Sequence, residues 1–314
     1  MLKRVKYSIL LILILLVGCP QHRQDQVQPE VEHTTEAILP EHVLSELTVP
    51  ANVLNSPNVK GQFTFAGEPK DTETRNLTRL QNIAYIAAYD EVRNCPAWVV
   101  FRIPSNVQFF DYHRFNFRTD NRTQSQVKTS YYTNSGFDRG HMAPSYGIYA
   151  FFGEQAERET YFMSNICPQT GELNRVRWKQ LEQLIAGTHD GNNENFWAKQ
   201  YGELWIITGP IYEGDVEFLT STTPNIPDIE IPDKFFKIVI GVDEANSEIY
   251  VLSFIMPNST DHSVTRKQMK EYLVSVDAIE EATGLDFFTG LNDNIEEELE
   301  RTVQTEIWPI GPSS

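Results

Sequence analysis

One stretch of the chain decides the predicted fold and function: Gly136-Phe137-Asp138-Arg139-Gly140-His141-Met142-Ala143-Pro144-Ser145. It brings an acid, a guanidinium and an imidazole close together along the chain. Gly136, Gly140 and Pro144 favour turns, so we predict a strand, a tight loop and an exit from that loop. An imidazole there is suited to accept a proton from water near neutral pH. Taken alone, a histidine beside an aspartate is more often a surface pair or a buried structural residue.

Two more motifs follow in order: Ser164-Asn165-Ile166-Cys167-Pro168-Gln169 and Leu173-Asn174-Arg175-Val176-Arg177-Trp178-Lys179-Gln180-Leu181-Glu182. The three motifs together closely resemble the signature of the DNA/RNA non-specific endonucleases, a family of sugar-non-specific nucleases of the ββα-metal (His-Me finger) type. The resemblance covers roughly residues 61–310. It implies an α+β fold with a central, mainly antiparallel sheet flanked by helices, a His loop and a metal-binding helix.

The chemistry of phosphodiester hydrolysis explains why such residues are needed. The reaction requires a base for the attacking water, a cation to offset phosphate charge, and stabilisation of the departing 3′-oxygen. The resemblance implies that His141 is the general base and that Asn174 is the single direct protein ligand of a hydrated Mg²⁺, with Mn²⁺ as the alternative ion. An amide oxygen is a hard ligand of the kind that Mg²⁺ prefers. Glu182 would orient the waters of the ion, and Arg114 would stabilise phosphate charge.

The other expected site residues have supporting roles. Arg139 and Asn165 are expected to support catalysis by positioning the phosphate and the His loop. Arg118 is a second candidate for binding phosphate, although an arginine at this place also fits a solvated surface. Gln169 is a candidate contact to the substrate or to the site residues. Asp138 is expected to be structural and to pair with Arg139.

The charge is distributed unevenly along the chain. The 314 residues carry a net charge of −17, which argues against a protein that coats nucleic acid, because phosphate affinity comes from lysine and arginine. Residues 101–180, which hold the first two motifs and most of the third, instead contain 10 basic and 7 acidic residues. This fits a local cationic groove that meets a polyanion briefly, although chance would also explain it. The resemblance implies that both DNA and RNA are substrates.

Residues 1–18 are predicted to be a lipoprotein signal peptide. Three basic residues precede an apolar run at 9–17, which is too short to span a bilayer as a helix but suits a signal sequence. The run ends in Leu16-Val17-Gly18-Cys19, which resembles a bacterial lipobox and implies cleavage before Cys19 and lipid attachment at its thiol. A plain secretory peptide or a short anchor is the alternative.

Residues 19–58 are predicted to be the lipidated cysteine and a flexible tether, followed by one nuclease domain at 59–314. The tether is rich in Gln, Glu, Pro and Thr, and a chain of this length reaches roughly 30–40 Å. His22, His33 and His42 are too dispersed to favour a metal-binding tract over a solvated linker. The expected location is the bacterial cell envelope, with the chain held at the membrane by its lipid.

Hydrophobic patterning predicts the scaffold. Core strands are predicted at 97–103, 161–166, 204–212, 235–242 and 249–255, helices at 172–186 and 274–282, and a loop at 111–120. In the first helix Asn174 and Glu182 lie eight residues apart, which puts both on one side, about 12 Å apart along the axis. Taken alone, Asn174 would more often be a helix cap or face solvent.

The cysteines exclude some classes of site. With Cys19 lipidated, Cys95 and Cys167 remain, and no pair has the spacing of a structural zinc site. In an oxidising compartment the two could form a disulfide, and two buried free thiols are equally compatible with the sequence.

Three other functions remain open at this point. The first is a catalytically inactive nucleic-acid-binding protein on the same fold. The second is a structural envelope lipoprotein. The third is an enzyme that hydrolyses a small phosphodiester.

Overall fold

A seven-stranded antiparallel sheet forms the centre of the fold in a computed structural model that describes residues 51–54, 59–109, 111–189 and 195–308. Its strand order is β10-β9-β8-β7-β4-β3-β2. Two smaller sheets pair β5 with β6 and β1 with β11, both antiparallel. In chain order the strands are β1 (Lys70–Asp71), β2 (Leu77–Gln81), β3 (Tyr85–Asp90), β4 (Cys95–Ile103), β5 (Asp138–His141), β6 (Ile166–Gln169), β7 (Leu204–Ile211), β8 (Lys234–Asp243), β9 (Glu248–Pro257), β10 (Leu273–Val274) and β11 (Leu285–Asp286).

Helices flank this sheet. In chain order they are α1 (Ala51–Leu54), α2 (Ser145–Phe152), α3 (Glu154–Thr160), α4 (Lys179–Ala186), α5 (Trp197–Tyr201), α6 (His262–Thr265), α7 (Val276–Thr283) and α8 (Asp293–Arg301). A π-helical segment at Leu173–Trp178 leads directly into α4. Among the described residues, no helix combines the length and the apolar character needed to cross a bilayer.

The two faces of the sheet bury two separate apolar cores, because side chains alternate along a strand. In β4, Val99 and Phe101 join the core that also contains Leu173 and Trp178. Val100, between them, joins the other core, which contains residues of α7 and α8. The segments that carry the three motifs therefore lie on one face, and α7 and α8 lie on the other.

Most of the predicted elements are confirmed. The strands predicted at 97–103, 204–212, 235–242 and 249–255 correspond to β4, β7, β8 and β9. The helix predicted at 172–186 is present, with a π-helical first part. The helix predicted at 274–282 is α7, and Gly284 ends it in the left-handed conformation with φ 63°. The predicted loop at 111–120 contains no helix or strand among its described residues.

Two local predictions are wrong. The Asp-Arg-Gly-His motif forms strand β5 and not a loop, because it pairs along its whole length with β6. The strand predicted at 161–166 begins only at Ile166, because Met163–Asn165 forms a 3₁₀ turn. Of the two alternatives for Cys95 and Cys167, the structure has buried free thiols. The predicted signal peptide, Cys19 and all of the tether before residue 51 lie outside the described residues.

Candidate active site

The antiparallel β5–β6 pair presents His141 at its end, where His141 pairs with Ile166. Gly140, one residue earlier, lies under the side chain of Gln169. A Cβ at position 140 would lie 2.1 Å from Gln169 Oε1, so glycine is required for this packing. Gln169 is 0% exposed. The predicted direct contact between Gln169 and the substrate is therefore wrong, because the side chain is buried against Gly140.

Asn165 fixes the turn that follows His141. Its Oδ1 accepts a hydrogen bond from Ala143 N at 2.9 Å, and its Nδ2 donates to the carbonyls of Ala143 at 3.0 Å and Thr160 at 2.9 Å. Its own carbonyl accepts from Met142 N at 3.0 Å. Because Asn165 is 0% exposed, it positions the backbone beside His141 and does not touch a phosphate.

Aromatic rings hold the imidazole of His141. Tyr161 meets it edge to face with ring centroids 5.0 Å apart, and Phe117 lies 5.2 Å away. Trp178 Nε1 donates to the backbone carbonyl of His141 at 3.3 Å and so ties strand β5 to the π-helical segment.

The electrostatic surroundings keep the imidazole of His141 neutral. Burial, followed by the positive charge of Arg114, lowers the pKa of His141 to about 3. Its Nε2 is buried and has no hydrogen-bond partner among the described residues. A neutral ring with an unused nitrogen can accept a proton when its surroundings change to favour the charged form.

Asn174 lies inside the π-helical segment and not at a helix cap. Its Nδ2 donates to Asp138 Oδ2 at 3.0 Å. Because an ionised carboxylate only accepts hydrogen bonds, this contact leaves Asn174 Oδ1 for another partner. The predicted pair between Asp138 and Arg139 is wrong: Asp138 pairs with Arg175, whose Nε lies 2.7 Å from Asp138 Oδ2. The pKa of Asp138 is lowered, because the hydrogen bonds from Arg175 and Asn174 outweigh the cost of burial.

Glu182 lies above a buried lysine. The Nζ of Lys237, in β8, is 3.9 Å from Glu182 Oε1 and 4.2 Å from the ring centroid of Trp178. Lys237 is 0% exposed, and burial lowers its pKa. Burial also raises the pKa of Glu182, against the attraction of Lys237. Glu182 Oε1 is buried and makes no hydrogen bond among the described residues.

One open cleft of about 430 Å³ brings these groups together. Its lining includes His141, Asn174, Glu182 and three cationic side chains: Arg114, Arg175 and Lys179. His141 and Asn174, which the sequence separates by more than thirty positions, thus face the same space. A cleft with a neutral imidazole, oxygen donors and a cationic rim can receive an anionic phosphate.

The other predicted arginines differ in their placement. Arg139 donates to the Thr129 carbonyl at 2.6 Å and lines a neighbouring depression that Arg114 also borders. The guanidinium of Arg118 instead lies 4.0 Å from the ring centroid of Phe162 and donates to the Arg158 carbonyl. Arg118 is exposed and does not line the cleft of His141, so the structure does not bring it together with His141, and its role in binding phosphate stays a prediction.

The donors in the cleft fit a hard divalent cation. Asn174 donates to Asp138 through Nδ2, so its Oδ1 remains available as a ligand. Glu182 Oε1 is buried and has no hydrogen-bond partner among the described residues. The described groups of three or more acidic, cysteine or histidine side chains that are close enough to share an ion lie elsewhere. An ion in this cleft would therefore keep most of its coordination as water, as Mg²⁺ commonly does.

Sequence reasoning missed two residues of this site. Lys237 interrupts the apolar run Phe235-Phe236-Lys237-Ile238-Val239, and a lysine in a fully buried strand is a signal that a partner charge lies above it. Tyr161 belongs to none of the three motifs, and only the folded structure shows that its ring packs on His141.

Comparisons with known proteins agree with this geometry. A family model described as DNA/RNA non-specific endonuclease matches residues 67–294. The mitochondrial nuclease of Saccharomyces cerevisiae is 29% identical over 242 residues, which cover 72% of this chain and 68% of that protein. A nuclease of Nostoc sp. is 26% identical over 312 residues, covering 95% and 97%. A solved EndoG/EndoGI complex shares the fold, with 22% identity, a TM-score of 0.59, and coverage of 72% of this chain and 90% of that one. Since the family match spans well over half of its length, the chain belongs to the DNA/RNA non-specific endonuclease family.

Proposed function

We propose that the protein is a Mg²⁺-dependent, sugar-non-specific endonuclease that hydrolyses phosphodiester bonds in DNA and RNA. The observation that carries the proposal is the shared cleft, in which the neutral imidazole of His141 and the amide oxygen of Asn174 face the same space. The cationic rim supplies the charge that a polyanionic substrate requires.

His141 acts as the general base in this proposal. Its imidazole takes the proton of a water whose oxygen attacks phosphorus, and the bond from phosphorus to the 3′-oxygen breaks. A pKa of about 3 makes the free imidazole a weak base. The bound phosphate offsets the charge of Arg114 and so raises the pKa of His141 when substrate is present.

Asn174 Oδ1 holds the cation, and Glu182 orients the waters around it. When bound, the ion supplies a Lewis acid that offsets charge on the phosphate and on the leaving oxygen. Asp138 keeps the amide of Asn174 in the required orientation through the hydrogen bond to Nδ2. Lys237 beneath Glu182 holds that carboxylate near the cleft.

The proposed enzyme should show weak sequence preference, because its contacts are to the phosphate backbone of the substrate. Arg114 borders both the cleft and the neighbouring depression, so it can reach a phosphate lying between them. Contacts of this kind carry no base information. Mn²⁺ is the alternative ion, since it also prefers oxygen ligands.

The main alternative is an inactive binding protein on the same fold. It predicts that plasmid DNA stays intact whether or not EDTA is present. An enzyme for small phosphodiesters would instead turn over a bis-aryl phosphodiester faster than long DNA or RNA.

Replacing His141 with alanine tests the base. We expect His141→Ala to lower the rate of plasmid cleavage in Mg²⁺ by at least about a hundredfold, the usual contribution of general-base catalysis. EDTA should abolish cleavage by the wild-type enzyme, because it removes the metal ion. The matched control is His262→Ala, at an exposed histidine of α6 outside the cleft, which should cleave normally. Near-normal turnover by a folded His141→Ala protein would refute the assignment.

A pair of arginine variants tests the role of Arg114. We expect Arg114→Gln to reduce kcat/KM roughly 10- to 100-fold, because it removes a charge-assisted hydrogen bond to phosphate. It should also move the acid limb of the kcat/KM profile to higher pH, since loss of a positive charge raises the pKa of His141 and the base form is then lost earlier as pH falls. Arg118→Gln should change neither quantity. Equal effects of both variants would contradict the assignment.

We also propose that the mature chain is anchored to a membrane of the bacterial envelope through a lipid on Cys19. The support is the basic start, the apolar run and the Leu-Val-Gly-Cys sequence. In bacteria, the wild-type protein should sediment with membranes and incorporate labelled fatty acid. Cys19→Ala should lose the label. A wild-type protein that carries no label would rule the anchor out.

A further inference from the structure

A buried carboxylate that the proposed mechanism does not use lies behind the cleft. Glu157, in α3, is 0% exposed. Its Oε1 accepts a hydrogen bond from Ser145 Oγ at 2.9 Å, and its Oε2 is buried without a partner among the described residues. Arg158, on the same helix, pairs instead with Glu154. An apolar side chain would fill this place at lower cost, so the carboxylate points to a role other than packing.

The hydroxyl of Ser145 connects Glu157 with two phenols. Ser145 Oγ lies 2.9 Å from the hydroxyl of Tyr161 and 2.9 Å from the hydroxyl of Tyr112. Tyr161 is the ring that packs edge to face on His141. The buried carboxylate is therefore only two hydrogen bonds away from the ring that contacts the proposed general base.

Tyr161 also joins this group to Arg114. A hydrogen bond to Tyr161 raises the pKa of Arg114, and the negative charge of Glu157 adds to the effect. Arg114 is the cationic side chain that borders both the cleft and the neighbouring depression. The guanidinium and the buried carboxylate are thus joined through two hydroxyl groups and not directly.

Ionised Glu157 gives this chain of hydrogen bonds a single direction. A carboxylate only accepts, so Ser145 donates its one proton to Glu157, and Tyr161 in turn donates to Ser145. A guanidinium only donates, so Arg114 donates to the Tyr161 oxygen. Every proton then points from the arginine toward the carboxylate. When Glu157 is protonated, no anion stands at the end of the chain, and the contact that holds Arg114 is weakened.

We propose that Glu157 is a positioning residue, which holds Arg114 at the cleft through Ser145 and Tyr161 so that the guanidinium is in place for the phosphate. The inference rests on the proposed nuclease function, in which Arg114 stabilises phosphate charge. Because Glu157 is fully buried, it does not touch the substrate and acts only through Arg114. It acts in its ionised form, since only that form orders the hydrogen bonds.

This role implies a dependence on pH that His141 alone does not give. Burial raises the pKa of Glu157 to about 7, against the hydrogen bond from Ser145. As the pH rises through about 7, the carboxylate ionises, and kcat/KM should rise in a partial step. The pKa of His141 in the free enzyme is lowered to about 3, so its titration lies well below this step. The charged and titratable groups that face Glu157 are Glu154 and Arg158 on α3, Tyr149 on α2, Tyr161, and Tyr112 and Arg114 in the loop before β5.

The pH profile of kcat/KM for cleavage of double-stranded DNA in saturating Mg²⁺ tests the proposal. Glu157→Gln keeps the shape of the side chain and an oxygen acceptor for Ser145, but it cannot ionise. We expect it to match the wild type at about pH 5.5 and to lower kcat/KM roughly 3- to 10-fold at about pH 8.5, the effect of one weakened hydrogen bond. The step near pH 7 should therefore disappear. Glu154→Gln makes the same change at an exposed residue of α3 and should keep the step.

Two further variants test whether Glu157 acts through Arg114. Ser145→Ala breaks the chain of hydrogen bonds and should also abolish the step. In an Arg114→Gln background, adding Glu157→Gln should change kcat/KM less than about twofold at the higher pH, because the residue that it positions is gone. The proposal is overturned if Glu157→Gln keeps the step, or if its loss adds in full to that of Arg114→Gln. A wild-type protein that cleaves no nucleic acid would overturn the proposed function as well, whereas an active wild type with an unchanged Glu157→Gln profile overturns only this role.

Discussion

The hydrogen bond from Asn174 Nδ2 to Asp138 Oδ2 is the contact on which the proposed site depends. It joins strand β5, which ends at His141, to the π-helical segment that carries Asn174. The same carboxylate binds Arg175, so Asp138 organises two residues of the helix at once. Because the carboxylate accepts a hydrogen bond from the amide nitrogen of Asn174, the amide oxygen is left as a neutral, hard ligand. Strand β5 and the π-helical segment thus supply the base and the ligand to one cleft.

Burial shapes the electrostatics around this contact. The imidazole of His141 is neutral because it is enclosed by aromatic rings and lies near Arg114. Glu182 and Lys237 are drawn together below the cleft, and the ring of Trp178 lies beside the ammonium group. A buried carboxylate beside a buried lysine is costly unless the charges compensate each other. An entering phosphate and cation change the charge around both His141 and Glu182, so the free cleft does not have the protonation equilibria of the loaded one.

The sequence predicted the scaffold well where patterning is strong. Strands β7, β8 and β9 are apolar runs bounded by turns, and Gly284 marks the end of α7 because glycine readily adopts the left-handed conformation. The sequence also predicted that His141 and Asn174 would meet, since the order of the three motifs resembles that of a known family.

The failures concern contacts that periodicity does not encode. Asp138 and Arg139 are adjacent in sequence, but adjacent strand residues point to opposite faces, so Asp138 meets the helix and Arg139 meets the Thr129 carbonyl. Asn165 and Gln169 carry polar side chains of the kind that bind substrate, yet both are buried. Asn165 bonds to the backbone of Ala143, and Gln169 packs on Gly140. Arg118 is separated from Arg114 by only three residues, and its contact with Phe162 directs it away from the cleft.

Crystals of the enzyme soaked in Mn²⁺ would test most directly whether the amide oxygen of Asn174 holds the catalytic ion. The expected result is an anomalous peak in the cleft at about 2.1 Å from Asn174 Oδ1, the distance typical of a small divalent ion and an oxygen ligand. The remaining ligands should be waters, some of them hydrogen-bonded to Glu182. An ion bound directly by Asp138 or Glu182 with no contact to Asn174, or an Asn174 amide turned so that its nitrogen faces the ion, would contradict the proposed site.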